Sequence, residues 1–363
     1  MRISEIETPA ILIDVDIMAA NLQRVADYAR SHDLRLRPHT KTHKIPALGA
    51  RQMALGAVGL TVAKVGEAEV FSEAGTPDLL VAYPVIGRSK LDRLTKLAHK
   101  TRITVALDSL TVAAQLSDAA RAARVDIGVL AEVDAGMGRV GVTPDELVPL
   151  SKAIGKLPHL ELRGFTFYPG HIARLDEAGH AALNKLSLLV GSLVKECQAA
   201  GVPAGVVSGG STPALFESHQ VEGLTEMRPG TYIFNDRNTA EAGGCQWEQC
   251  AATIMTTVVS RRPGHMIIDG GSKTFSSDRT AGVGDPTFGL VREAPGSLFY
   301  KMNEEHGYVD LSRAERSDFV VGDRVRVLPN HICVAMNLHE QVYGIRGDEV
   351  VEVWKVAARG KLQ

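Results

Sequence analysis

Aromatic side chains are scarce in this chain, with 9 Phe, 7 Tyr and 2 Trp among 363 residues. A core on this scale must then come mainly from Ala, Val, Leu and Ile, which favours helices packed tightly on sheet. Cysteine is scarcer still: Cys197, Cys245, Cys250 and Cys333 contain no CxxC pair and are too few for a disulfide framework in so long a chain. Net charge is also missing, since 40 Lys plus Arg against 42 Asp plus Glu leaves −2. Without a basic block to neutralise a run of phosphates, nucleic acid is excluded as the expected partner. No window approaches the roughly 18 uncharged apolar residues of a membrane-crossing helix. The start, with Glu5, Glu7 and Asp14, is unlike the basic and then apolar opening of an export signal. These absences predict a cytoplasmic protein with reduced thiols and no membrane partner. Hydrophobic residues at 45% and charged residues at 23% describe an ordinary globular chain, long enough for two domains or one barrel with an appendage.

Short β-branched runs alternate with helix-period segments along the first part of the chain, the pattern of βα units around parallel strands. The runs fall at 10–14, 34–38, 58–62, 78–83, 103–107, 127–133, 162–167 and 204–208. Eight such strands predict a closed (β/α)8 barrel. Between the first two, Met18, Leu22, Val25, Ala26 and Ala29 recur on one helical face behind Asp16 as N-cap. Further helical segments are expected at 65–74, 89–99, 110–123, 144–155 and 176–200. From about residue 240 the pattern changes to short alternating runs separated by Gly, Asp and Pro, with almost no helical period. The expected organisation is therefore an α/β barrel over 1–240, followed by an all-β domain over 241–363.

Reactive groups in such barrels sit at the C-terminal ends of the strands. The second strand runs into Arg37-Pro38-His39-Thr40-Lys41-Thr42-His43-Lys44, a crowd of cations in which a partly desolvated lysine becomes a nucleophilic amine able to form a Schiff base. A basic surface loop is the plain alternative. The sixth strand runs into Glu132-Val133-Asp134-Ala135-Gly136-Met137-Gly138-Arg139, and the seventh ends at Tyr168-Pro169-Gly170-His171. After the eighth comes Ser208-Gly209-Gly210-Ser211-Thr212-Pro213, a small, hydroxyl-bearing turn of the kind that holds phosphate in barrel enzymes. Arg228-Pro229-Gly230-Thr231 follows. A reactive lysine and a phosphate cradle at one barrel mouth together predict bound pyridoxal 5′-phosphate.

The ordered series TPAILID, RPHTKTHK, EVDAGMGRVGV, SGGSTP, RPGTY and PNHICVAMNLHE resembles the D-threonine aldolase and D-serine dehydratase family, which shares the alanine racemase-like fold. The resemblance spans nearly the whole chain. It implies that Lys41, rather than Lys44, carries pyridoxal phosphate, and that Arg139 holds the cofactor's phenolic oxygen. Gly210, Ser211 and Thr212, with the backbone of Gly230 and Thr231, would bind the phosphate. Tyr168 and His171 would lie by the cofactor face, His171 as general base, and Arg228 would face the pyridine nitrogen. It also implies a homodimer with the active site near the subunit interface.

His331-Ile332-Cys333 places two metal-ligand types at i and i+2, one side of an extended strand. Imidazole and thiolate suit zinc best, with manganese or magnesium as alternatives. By itself such a spacing is a common accident; the resemblance implies that it is the metal pair. By contrast, Cys245, Cys250 and Cys197 are expected to be packed core residues, and Glu304-Glu305-His306 is expected to approach the site.

The implied activity is a metal-assisted lyase reaction on a D-configured β-hydroxy amino acid. Retro-aldol cleavage to glycine and an aldehyde is the first expectation, on Tyr168-Pro169-Gly170-His171 and the general run of the chain. Dehydration to a 2-oxo acid and ammonia is the alternative, because the aldolases of this family carry His-x-Asp at the metal and the dehydratases His-x-Cys. A metal-free racemase and a non-catalytic pyridoxal phosphate carrier are remoter alternatives.

Overall fold

A computed structural model describes residues 1–280 and 287–363. They form two compact units that interleave along the chain instead of dividing at residue 240. One holds Met1–Gln23, Thr42–Ile45 and Thr231–Arg359; the other holds Arg24–Lys41, Pro46–Gly230 and Gly360–Gln363.

The first expected barrel strand is a correction. Strand β1 (Ala10–Asp14) belongs to the first of these units, where it lies inside a mixed sheet. Its run Ala10-Ile11-Leu12-Ile13 is buried on both faces, and a fully apolar run reads alike in a barrel and in the middle of another sheet.

Helix α1 (Val15–Ser31) follows, and the barrel proper then begins with β2 (Arg35–Leu36). Next come α2 (Pro46–Ala54), β3 (Leu60–Val62), α3 (Val65–Glu73), β4 (Asp78–Val81), α4 (Arg88–Ala98) and β5 (Arg102–Leu107). They are followed by α5 (Leu110–Ala123), β6 (Ile127–Glu132), α6 (Leu147–Ile154), β7 (Leu160–Thr166), α7 (Glu177–Ala199) and β8 (Val206–Gly209). The eighth barrel strand is β9 (Glu226–Met227), which at two residues is too short to show any period in the sequence. These eight strands run parallel in the order β2-β9-β8-β7-β6-β5-β4-β3. The circle closes through a bridge between His39 and Thr61, whose N–H donates to Pro38 O at 2.8 Å.

Small aliphatic residues fill this unit as the shortage of aromatics requires. Leu60, Leu79, Val105 and Val129 are fully buried on successive strands, each such side chain contributing roughly 1.5–3 kcal/mol. In α5, Val112, Ala113, Leu116 and Ala120 turn one face inward, and the helix ends at Arg124 in the left-handed conformation. Asp176 caps α7 by accepting the Gly179 N–H at 2.9 Å, and Leu183, Leu186, Val190 and Leu193 follow along its buried face.

The other unit is built on a sheet ordered β13-β14-β11-β10-β1-β16-β17, with β15 joining β10 to β12. Its strands are β10 (Ala252–Arg262), β11 (His265–Ile268), β12 (Gly289–Val291), β13 (Leu298–Met302), β14 (Gly307–Asp310), β15 (Arg324–Pro329), β16 (Gln341–Arg346) and β17 (Glu349–Lys355). β1 pairs antiparallel with β10 and parallel with β16. Among the described residues, the short helices α8 (Arg237–Glu241), α9 (Ser272–Phe275) and α10 (Ile332–Leu338) fall between these strands, and the unit also takes in the start of α1. Among the described residues no helix is long and apolar enough to cross a membrane.

Candidate active site

Lys41 sits in a 3-10 turn, Thr40–Thr42, just beyond β2. Buried Thr40 fastens this turn to the next strand by donating from Oγ1 to Thr61 O at 3.0 Å. The Lys41 N–H donates to His39 Nδ1 at 3.3 Å, and the His39 N–H donates to Pro229 O at 2.9 Å. The half-buried lysine reaches to 5.5 Å from the centre of the Tyr168 ring, and Arg139 Cζ lies 5.1 Å from the same centre. Both distances are in cation–π range. Three of the expected cofactor residues, from three different strand ends, are thus gathered on one phenol.

His171 joins them through the loop after β6. Gly136, Gly138 and Gly141 all have positive φ, at 111°, 67° and 113°, so the loop takes a path that L side chains rarely adopt. A Cβ on Gly136 would lie 3.3 Å from the His171 ring. Asp134 ties the loop down by accepting from the N–H groups of Gly136 and Met137, both at 2.9 Å, and of Gly138. Desolvation pushes the Asp134 carboxyl up, but those N–H groups and the nearby His171 prevail and hold it below the usual carboxylate range. Gly170 is a second close approach, because a Cβ there would lie 2.9 Å from Met137 Sδ and closer still to the Tyr168 ring.

The turn after β8 carries the expected phosphate ligands. Gly210 has φ of 91°, while Ser211 and Thr212 are buried. Ser211 Oγ is shut away from solvent without a hydrogen-bond partner. Arg228 is likewise buried; its Nη2 donates to Thr166 Oγ1 at 2.7 Å and to Phe167 O at 2.9 Å, but its Nε has no partner. Full burial pulls the Arg228 guanidinium below its ordinary value, opposed by Glu132 and Glu226. An unsatisfied buried polar atom costs about 1–3 kcal/mol, and two such atoms among the residues expected to bind one anionic cofactor fit a group rich in acceptors. Gly230 is also buried. The donor set at this mouth therefore suits pyridoxal phosphate.

In the other unit, His331 and Cys333 come together, but not on a strand. β15 ends at Pro329, extended His331 caps α10, and Cys333 lies in that helix's first turn. The i, i+2 argument had assumed that the strand continued; the buried Ile332 between them starts a helix instead. Asp236, fully buried, accepts from His331 Nδ1 at 2.8 Å and from the Ile332 N–H at 3.2 Å. Its other oxygen accepts from the Thr239 N–H and hydroxyl at 2.9 and 2.6 Å, capping α8. A carboxylate on Nδ1 turns Nε2 outward as the ligand nitrogen, the usual orientation of a metal-bound histidine. The negative sulfur of Cys333 raises the imidazole pKa; desolvation opposes this, and with the Asp236 bond the imidazole is pushed up to about 11. Cys333 Sγ lies 3.2 Å from Thr42 Oγ1 and 3.8 Å from that of Thr231, residues that directly follow Lys41 and Gly230 in the chain. The imidazole and thiol fit a zinc-type ion. Among the described residues no third His, Cys, Asp or Glu completes a cluster.

Cys245 and Cys250 pack with Leu328 in a small buried cluster, and Cys197 is buried in α7. Glu304, Glu305 and His306 form the exposed connection between β13 and β14, with Glu305 paired to Lys273. Sequence reasoning missed Asp236. The signal was its N-cap spacing to Thr239, which announces a helix but not a partner for His331.

Such a barrel with a lysine just beyond its first strand, β2, defines an alanine racemase-like enzyme class, and comparison with known proteins agrees. Residues 13–238 match the alanine racemase N-terminal domain, and residues 251–345 match a putative serine dehydratase domain. The 3-hydroxy-D-aspartate aldolase of Paracoccus denitrificans (strain Pd 1222) is 33% identical over 99% of this chain and 93% of its own length. The D-threo-3-hydroxyaspartate dehydratase of Delftia sp. (strain HT23) is 32% identical over 96% of this chain and 97% of its own. The crystal structure of D-threonine aldolase from Filomicrobium marinum superposes with a TM-score of 0.93 at 31% identity, covering 100% of this chain and 98% of the other. The chain belongs to the D-threonine aldolase and D-serine dehydratase family and is a lyase of the pyridoxal phosphate-dependent type.

Proposed function

We propose that this enzyme cleaves D-configured β-hydroxy-α-amino acids between Cα and Cβ, releasing glycine and an aldehyde, with pyridoxal phosphate and a divalent metal as cofactors. The observation that carries this reading is the placement of His171, seated over Gly136 beside Asp134, with Tyr168 gathering Lys41 and Arg139. Retro-aldol cleavage needs a base for the β-hydroxyl proton, and His171 is the group suited to take it. As the proton leaves, the β-carbon becomes a carbonyl and the bonding pair stays with Cα, where a returning proton gives glycine.

Pyridoxal phosphate supplies the sink for that pair. Lys41 would carry the cofactor, Arg139 would orient its phenolic oxygen, and Gly210, Ser211, Thr212, Gly230 and Thr231 would hold its phosphate. Arg228 would answer the pyridine nitrogen. His331 and Cys333 would hold the metal, zinc before manganese or magnesium, which supplies a Lewis acid for the substrate's β-oxygen. We take the enzyme to be cytoplasmic and a homodimer.

Cys333 favours a second reading, dehydration to a 2-oxo acid and ammonia, in which Lys41 takes the Cα proton and the β-oxygen departs. Incubation with D-threonine, D-serine and D-3-hydroxyaspartate, with and without EDTA, separates the two. Glycine with acetaldehyde or glyoxylate is the expected product; 2-oxo acid with ammonia would replace the first reading by the second. Racemised substrate in the presence of EDTA would overturn both.

A further inference from the structure

The inside of a (β/α)8 barrel is normally filled by apolar layers, and this one contains a polar row. Glu132 on β6 stands in register with Thr166 on β7, Thr166 with Ser208 on β8, and Ser208 with Glu226 on β9. Residues in register on neighbouring parallel strands project to the same side of the sheet. All four are buried, at 7%, 0%, 0% and 1% exposure. Hydrogen bonds run along the row: Thr166 Oγ1 donates to Ser208 O at 2.9 Å, and Ser208 Oγ donates to Glu226 Oε1 at 2.7 Å. Glu226 Oε2 accepts from Arg37 Nε at 2.9 Å. Arg228 docks on the same row through Nη2 to Thr166 Oγ1.

The row therefore has an acid at each end, in different employment. Glu226 is hydrogen-bonded to Ser208 and Arg37 and shares the field of Arg228 with Glu132. Glu132, the last residue of β6, stands in register with Thr166, the residue on which Arg228 docks, and it feels the positive fields of Arg228 and Arg139 and the negative ones of Asp108 and Asp134. Burying a carboxylate is costly unless opposite charge compensates it, and here the compensating charges are the two groups expected to grip the cofactor ring from different sides. Asp108 and Asp134 are occupied otherwise: Asp108 accepts the Gly141 N–H, and Asp134 accepts those of its own loop.

We propose that Glu132 is a positioning residue for the cofactor, its carboxylate holding Arg228 in place through the polar row and offsetting the positive charge that Arg228 and Arg139 bring to the site. This rests on the pyridoxal phosphate reading above. One buried carboxylate then controls how positive the surroundings of the cofactor ring are, so its removal is read at the cofactor before it is read in turnover. Burial holds the Glu132 carboxyl above the usual carboxylate range, with Arg228 and Arg139 opposing this and Asp108 and Asp134 adding to it.

The test follows the visible absorbance of the holoenzyme through a pH titration in the wild type, E132Q and E132D. Glutamine keeps the shape and removes the charge. A more positive site gives up cofactor protons at lower pH, so the E132Q midpoint should fall by about one pH unit. E132D, which draws the charge back by one methylene, should fall between E132Q and the wild type, and it serves alone if E132Q does not fold. A merely structural acid would lower the melting temperature and leave the midpoint where it was. Unmoved midpoints in folded variants of a wild type that loads pyridoxal phosphate overturn this inference alone. A wild type that takes up no pyridoxal phosphate, and yields no borohydride-fixed adduct at Lys41, overturns the cofactor reading and this inference together.

Discussion

The barrel mouth and the His331 centre hold their polar atoms in opposite ways. At the mouth, Ser211 Oγ and Arg228 Nε are buried without partners. Around His331, one buried carboxylate, Asp236, accepts from His331 Nδ1, the Ile332 N–H, the Thr239 N–H and the Thr239 hydroxyl. The first arrangement has donors fixed in advance for a large guest that brings its own acceptors. The second ties His331 and the start of its helix to an internal carboxylate and presents the outer nitrogen of one ring and one sulfur, although the neighbouring Asn330 Oδ1 is also buried without a partner among the described residues. On the proposed function, the difference teaches that the two cofactors would be recruited by different physics: filling of unmet donors in the barrel, and orientation of a His331–Cys333 pair in the other unit.

The contrast breaks most visibly at Lys41. K41A should lose turnover on the order of a thousandfold or more and its visible cofactor absorbance with it, while the metal content measured by atomic emission stays that of the wild type. H171Q should lose about 100- to 10,000-fold in kcat and keep both cofactors, checked by steady-state kinetics beside the absorbance spectrum. On the other side, D236N should weaken metal binding about 10- to 100-fold, measured by competition with a chelating dye, with the cofactor spectrum unmoved. A D236N that lost pyridoxal phosphate instead would break the separation of the two centres. C333D should shift product further toward glycine and aldehyde, quantified by chromatography; an unchanged ratio would show that this ligand does not choose the reaction. The smallest effect is expected at Ser211. S211A removes a buried oxygen that has no partner in the protein, so the cofactor-free form should be unchanged or slightly more stable in denaturant, while the pyridoxal phosphate Kd rises by about 5- to 10-fold.

Legibility in the sequence followed the same division. At the barrel mouth the strand ends were legible from their β-branched runs, so the segments holding Lys41, Arg139, Tyr168 and His171 could be singled out, while their roles came only from the family resemblance. What failed there was the count. β1 and β9 exchange places because a fully apolar strand carries no mark of which sheet takes it, and a two-residue strand carries no period at all. At His331 and Cys333, the expected metal pair, the residues could be singled out but their backbone could not be read. An i, i+2 spacing looks identical in a strand and across a helix cap, and only the buried Ile332 between the ligands decides it. Asp236 and Glu132 escaped for a deeper reason: each acts on a partner far off in sequence, 95 residues away for Asp236 and His331, and no local pattern encodes such a pair.

The interleaving of the two units limits how this enzyme can be taken apart. The chain passes from one to the other after Gln23, Lys41, Ile45, Gly230 and Arg359. A fragment ending near residue 240 would keep β1, a buried apolar strand, and discard β10 and β16, the strands on both its sides. The step after Lys41 is closer to the chemistry, since the four residues Thr42–Ile45 belong to the opposite unit from the lysine they follow. Shuffling Thr231–Arg359 between relatives as a cassette would therefore leave the peptide after Lys41 matched to the wrong donor, and an exchange of that unit by recombination has to carry Thr42–Ile45 and the first 23 residues along with it.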